Sequence, residues 1–467
     1  MVFKLKKQIL VIAYALILII LIILKPAQFS FLDSSLILQL ITIFFLLVVI
    51  HLFSNERKNW FRVDIIFIIG FFAVHLQWPL MHGVSEIIPK KYNDIFPDIK
   101  LMNYSAWVAT IAMLFFLLGY NVFSFNKVKR RLDMIFIYDK LKYFVIISYV
   151  IFLAFAGKDF LTGQVYRGLG EGGTAGAGIS KYFFIFFQIG LKVLTMIVIY
   201  NNRFNYKGNL VRWFLSFDKQ YLTVAISYIL IFLLIGDRGG PLALLLTIVI
   251  FTGLMVRQFS LKELLLMAFV GGMALMLIGL GRSKASGLSI LNEGINDLEY
   301  EQGVYQPTLE LANSYRTFNR AILHTSNKSD YSYGSLWVSD LLSPIPFAQS
   351  FYLKLSNKEL YEISSSKLIT YLVYGKNPPS GEGTSLLGDI YLNFGSYGIM
   401  FFMFLFGVFF KKIADSIRNL DSVLWLTMAS VFVGYALYYS RTSLFFPFRE
   451  VCWSVLFMSL FVTKRKI

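Results

Sequence analysis

Gly236-Asp237-Arg238-Gly239-Gly240-Pro241 interrupts a long apolar stretch and sets a permanent cation at a turn. Arg282, in Gly281-Arg282-Ser283-Lys284, closes a second apolar run, and Arg441 closes a third. A guanidinium is a planar fork of donors that grips phosphate or carboxylate through parallel hydrogen bonds, so three of them call for an anion. Each also has a plainer reading: an internal Asp237/Arg238 pair within the turn, or snorkelling anchors at the two helix ends. A second group, Arg316, Arg320 and His324, recurs every four residues. On a helix they share one stripe with Ala312 above them, and their repulsion eases if an anion or carboxylate lies between. His324 titrates near neutrality and suits a general base. The same stripe also reads as a solvated basic face with His324 paired to Glu310 or Asp340. The third group is the segment from Gly381 to Gly395, which enters a late apolar run carrying Asp389, Tyr391 and Asn393, with Glu382 at its mouth. A carboxylate at membrane depth is costly and marks function by default, and here it serves equally as a hydrogen bond to a neighbouring arginine. Asp64 and Lys192, also near or inside apolar runs, are read as a structural pair.

The elements that must hold these residues are membrane helices. Of 467 residues, 57% are hydrophobic and 15% charged, against roughly 45–50% and 25% in a soluble domain. Apolar runs of helical length occur near residues 8–24, 36–53, 63–80, 104–123, 142–156, 181–200, 220–235, 241–256, 263–281, 386–410, 422–440 and 444–462. The expected class is therefore all-α, a polytopic membrane protein of about twelve spans. The first run follows Lys4, Lys6 and Lys7 like a signal peptide, but no small-residue cleavage site follows it, so it is read as a retained helix. With both termini cytoplasmic, every short inner loop is basic, as the positive-inside rule asks. The chain then divides into residues 1–281 with about nine spans, a large outer loop at 282–383, and residues 384–467 with about three. Loops of that length inside compact architectures are usually functional. Six glycines between Gly168 and Gly178 read as a flexible outer loop without a Walker-type ending.

The net charge of +17 would suggest nucleic acid in a soluble protein. Here the inner segments account for the whole excess, so nucleic acid is not an expected partner. One cysteine, Cys452, excludes an intramolecular disulfide, and four scattered histidines give no Cys/His zinc pattern. No two aspartates are separated by a single residue, so the Asp-x-Asp pattern of nucleotide-sugar transferases is absent. Neither metal nor cofactor is expected. Tyr315, Tyr331, Tyr333, Trp337 and Tyr352 suit sugar rings or an interfacial belt.

The run Gly-Asp-Ile-Tyr-Leu-Asn-Phe-Gly-Ser-Tyr-Gly within residues 382–398 resembles the closing signature of the O-antigen and capsular repeat-unit polymerases, called Wzy. The Gly-Asp-Arg-Gly-Gly turn is similar to that family's arginine turn, and Ser314-Tyr315-Arg316-Thr317-Phe318-Asn319-Arg320 to its outer arginine-bearing helix. The resemblance implies a GT-C-like architecture in the bacterial cytoplasmic membrane. It also implies glycosyl transfer at the outer face between two glycans carried on undecaprenyl diphosphate, with a chain-length regulator and a flippase as partners. Arg316 and Arg320, with His324 or Glu382 as base, would then be catalytic. Arg238, Arg282, Arg441, Asp389, Tyr391, Asn393 and Tyr315 would bind substrate. The alternatives are a ligase that moves finished glycan to another acceptor, and a flippase or transporter. Two similar halves, common in transporters, are missing, since the large loop has no counterpart in the first half.

Overall fold

The structure is a computed structural model describing residues 2–55, 59–84, 99–123, 134–164, 179–300, 306–328, 330–378 and 380–466. The Gly168 to Gly178 stretch lies outside the described residues. Each apolar run forms helix over most or all of its length, because in lipid only a helix satisfies its own backbone. The first part of the chain gives α1 (Val2–Ile23), α2 (Ser34–Ser54), α3 (Val63–His75), α4 (Gln77–Val84), α5 (Met102–Val122), α6 (Asp139–Phe155) and α7 (Ile179–Asn202). Then come α8 (Lys219–Ile235), α9 (Gly239–Met255) and α10 (Leu261–Gly281). The large loop carries α11 (Ser289–Tyr300), α12 (Gln306–Ala312), α13 (Tyr315–Lys328) and α14 (Ser365–Tyr374), besides shorter turns of helix. The chain closes with α15 (Leu386–Asn419), α16 (Val423–Phe432) and α17 (Phe448–Phe461). Among the described residues five helices are long and apolar enough to cross a membrane, or six if α3 and α4, bent by 53°, are one span. The chain is thus a polytopic membrane protein. One departure from an all-α chain is a short antiparallel pair, β1 (Met134–Ile137) with β2 (Thr463–Lys466).

Polar side chains set where the helices begin. Asp33 accepts from the backbone of Ser35 and Leu36, Asp218 from Tyr221, and Ser385 from Gly388. Each supplies an acceptor to donors that the first turn leaves unpaired. The core is aromatic where α3, α5 and α15 meet: Phe67 lies 4.6 Å from Phe116 and 5.2 Å from Phe410 between ring centres. Outward side chains such as Leu265, Leu266 and Phe269 of α10 stay exposed and give a lipid-facing surface.

Contacts between loops sort the chain's turns into two ends. At one end Lys7 donates to Val122 O at 3.0 Å, Lys142 pairs with Asp218 at 2.9 Å, and β1 lies against β2 near the C-terminus. At the other, Asn103 donates to Phe31 O at 2.7 Å and Ser443 to Asp340. Two buried charges settle differently from expectation. Asp64 is paired with Arg62 and His51 and accepts from Tyr120, whereas Lys192 pairs with Glu450 at 2.7 Å. Asp64 and Lys192 are therefore not partners: each finds a closer opposite charge on the face its own helix buries.

The helix α15 is broken at Gly395, whose φ of 65° and ψ of −159° suit glycine alone. The break frees the carbonyls of Leu392 and Asn393, which accept from the backbone of Ser332 and Tyr333 at 2.9 and 3.0 Å. It thereby fastens the large loop to a membrane helix. Gly395→Ala would strain the backbone by about 1–3 kcal/mol and press a methyl to within 2.6 Å of the Tyr331 ring. We expect a lower melting temperature in detergent and faster proteolysis of the loop; unchanged values would show that the break is not needed.

Candidate active site

The three arginines at helix ends converge. Arg238, Arg282 and Arg441 line one cavity of about 320 Å³, together with Asp237, Tyr435 and Tyr438. Arg238 reaches it from the turn between α8 and α9. Gly236 caps α8 in the left-handed conformation, and the backbone of Gly236 and Asp237 returns to the carbonyls of Leu233 and Phe232. Arg238 donates from Nη1 to Leu275 O of α10 at 2.8 Å, and Asp237 accepts from Gly239 N at 3.0 Å. Gly240 is required at its position because Tyr228 Oη and Gln188 Nε2 lie where a side chain would stand. Burial pushes the Asp237 carboxyl up, against the Gly239 and Gly240 N–H groups and the Arg282 and Arg238 guanidinium groups. Three guanidinium groups therefore face the cavity with one carboxylate, and the site is electropositive.

Arg441 is set by a neighbouring turn. Three residues on, Leu444 N donates to Asp389 at 2.8 Å; the same carboxylate accepts from Trp337 Nε1 at 2.9 Å and from Ser365 Oγ. Asp389 was expected to orient an arginine by direct contact. These partners are instead an indole, a hydroxyl and a backbone amide, and the carboxylate holds the Arg441 turn through its backbone. Asn393 accepts from Gly334 N at 3.0 Å, Tyr391 packs its ring 6.0 Å from Phe318, and Tyr315 pairs with Ser105. Asp389, Asn393, Tyr391 and Tyr315 are all buried, with contacts to protein.

The loop arginines form a second group outside the lining of this cavity. Arg316 pairs with Glu382 at 2.8 Å, and Glu382 also accepts from Tyr374 Oη at 2.8 Å. The pair joins α13 to the segment that leads into α15. The expected helix is interrupted between α12 and α13, so Ala312 belongs to the preceding helix. Arg316, Arg320 and His324 keep a common, half-buried face. Burial, helped by the Lys328 ammonium, holds the His324 imidazole below its ordinary value. Asp340, an expected partner of His324, instead accepts from Ser443, and its carboxyl is pushed up by burial. The Glu310 side chain lies outside the described residues.

Sequence reasoning did not find Tyr435, Tyr438 or Glu450. Tyr435 lines the cavity, and its hydroxyl donates to Glu450 at 2.6 Å. The available signal was Lys192, a cation within an apolar run, but its partner lies 258 residues away. Among the described residues no three His, Cys, Asp or Glu side chains gather as a metal site.

Compared with known proteins, residues 9–465 match the model of the family described as O-antigen polysaccharide polymerase Wzy. No curated protein and no solved structure matches the chain.

Proposed function

We propose that this chain, which belongs to the O-antigen polysaccharide polymerase Wzy family and so polymerises lipid-linked repeat units by glycosyl transfer, holds the donor's diphosphate in the arginine cavity. The observation that carries the reading is the convergence of Arg238, Arg282 and Arg441, from three separate helix ends, on one electropositive space. In the reaction a hydroxyl oxygen of the acceptor glycan attacks the anomeric carbon of the donor glycan. The bond from that carbon to the diphosphate oxygen breaks, and its electron pair departs with the diphosphate. Guanidinium groups aimed at that oxygen stabilise the charge as it develops. The donor and acceptor are glycans on undecaprenyl diphosphate, the reaction needs no metal, and a flippase and a chain-length regulator work beside it.

In this reading the arginine cavity faces outward from the bacterial cytoplasmic membrane, the termini are cytoplasmic and the bundle has about twelve spans in a GT-C-like arrangement. The two-ended sorting of the loop contacts and the basic residues near Lys7, β1 and β2 support that orientation. The loop at 282–383 is the acceptor-receiving unit between membrane regions 1–281 and 384–467. On it Arg316, Arg320, His324 and Glu382 offer charged and neutral donors and acceptors to the arriving sugar, while Asp389, Tyr391, Asn393 and Tyr315 shape the wall behind them.

The test is purified protein in liposomes with undecaprenyl-diphosphate-linked repeat units, without nucleotide sugar or added metal, and glycan length read on a gel. A ladder of multimers is expected; translocation without elongation would overturn the reading. The double variant Arg316→Ala/Arg320→Ala is expected to raise the acceptor concentration needed for half-maximal rate at least tenfold while inserting normally. Wild-type kinetics in that variant would remove α13 from the site.

A further inference from the structure

Inside the bundle, next to the arginine cavity, lies a charged group that the reading above does not use. Lys192 Nζ of α7 donates to Glu450 Oε2 of α17 at 2.7 Å and to Tyr435 Oη at 2.8 Å. Tyr435 Oη donates in turn to Glu450 Oε1 at 2.6 Å. Lys192 and Glu450 are 4% and 8% exposed, so both charges have left water. A pure packing role would be met as well by apolar side chains, since a buried ion pair is weak evidence for stability. What distinguishes this pair is its third member: Tyr435 is half-buried and stands in the wall of the cavity that holds Arg238, Arg282 and Arg441.

We propose that Tyr435 and the Lys192–Glu450 pair are the proton-accepting unit of the transfer. The inference rests on the polymerase reading and on the donor's diphosphate lying among the arginines. The Tyr435 oxygen has two lone pairs. One takes the Lys192 hydrogen bond, and in this proposal the other takes the sugar hydroxyl. As the acceptor oxygen bonds to the anomeric carbon, its proton passes to Tyr435 Oη while the proton of Tyr435 passes to Glu450 Oε1. The bond between the anomeric carbon and the diphosphate oxygen breaks, and the electron pair stays on the diphosphate. One negative charge thus leaves Glu450 and one appears on the diphosphate beside three guanidinium groups. Lys192 holds the other carboxyl oxygen, Glu450 Oε2, at 2.7 Å and so orients Oε1 toward Tyr435. His324 and Glu382 do not line this cavity, and Glu382 is already engaged by Arg316 and Tyr374.

The charged and titratable groups around Glu450 are Lys192 on α7, Tyr228 on α8, Arg449 on α17 and Tyr435 itself, with Asp237 beyond Tyr228. Tyr228 is fixed by Gln188, one turn before Lys192, at 2.8 Å.

Tyr435→Phe tests this with the full-length protein in liposomes, since it removes one hydroxyl and leaves the ion pair in place. The expected result is a loss of elongation of about a hundredfold or more, the size of a general-base contribution. Binding of fluorescent undecaprenyl diphosphate and the melting temperature should stay near wild type. The loss should fall on the maximal rate and leave the acceptor concentration for half-maximal rate near wild type. Lys192→Met/Glu450→Gln, which removes both charges together, should show the same loss of maximal rate. Elongation within threefold of wild type in Tyr435→Phe, or a loss that falls on acceptor affinity and not on the maximal rate, would overturn the proposal. Failure of the polymerase reading looks different: there the wild-type protein itself yields no ladder.

Discussion

Alanine in place of Arg441, Arg282 or Arg238 is expected to slow elongation by about 10²–10³-fold each, the cost of removing one preorganised donor from a developing oxyanion, about 3–4 kcal/mol. The effect should fall on the maximal rate more than on donor affinity, because the charge on the bridging oxygen is greatest in the transition state. Arg238 also donates to Leu275 O and helps tie the turn to α10, so its alanine variant should lose some stability as well. Lysine should restore only part of the rate at any of the three, since a point charge lacks the planar fork. Single-turnover elongation of a preformed donor complex measures this directly. If all three alanine variants elongate at wild-type rates, the cavity does not hold the leaving group.

The second large effect is expected at Asp389. Its carboxylate is fully buried and takes hydrogen bonds from the Trp337 indole, the Ser365 hydroxyl and Leu444 N. Asp389→Ala leaves three interior donors unmatched, at about 1–3 kcal/mol each, so destabilisation of about 3–9 kcal/mol is expected. Asp389→Asn should be milder, because one carbonyl oxygen remains while the amide N–H₂ group meets another donor. Both variants should also lower elongation, since the Leu444 contact fixes the turn that carries Arg441. Melting temperature in detergent and Trp337 fluorescence report the first effect and ladder formation the second. An Asp389→Ala protein that melts with the wild type would show that these three elements are held by other contacts.

The helices were legible in the sequence because each must be apolar over its own local run. The arginine ends were legible for the same reason: Gly236, Gly239 and Pro241 are turn residues next to one another, and Arg282 and Arg441 stand where apolar runs stop. Their meeting was not legible, since it depends on packing between segments about 200 residues apart, and no periodicity encodes that. The ion pairs show the same limit. Asp64 was matched with Lys192 because both lie in apolar runs, whereas Arg62 stands two residues from Asp64 and Glu450 far from Lys192. The break at Gly395 was hidden because the apolar pattern runs through it without a pause. The role of Asp389 was half legible: its burial was expected, but backbone amides carry no signature by which one could be picked as its partner.

The helices that meet at Arg238 are each 17 residues long, about 25 Å at 1.5 Å per residue, and a bilayer's hydrocarbon layer is about 30 Å thick. If α8 and α9 cross the bilayer, as the proposed twelve-span reading has them, lipid beside them meets a hydrophobic mismatch, and thinning to match them costs a fraction of a kcal/mol per Å. A thinned annulus would bring the headgroup layer down toward Arg238, so that a carrier's diphosphate reaches the cavity with its polyprenyl tail still in the acyl chains. On that reading acyl-chain length in the surrounding membrane becomes a control on elongation, exerted from outside the protein through the shape of its solvent.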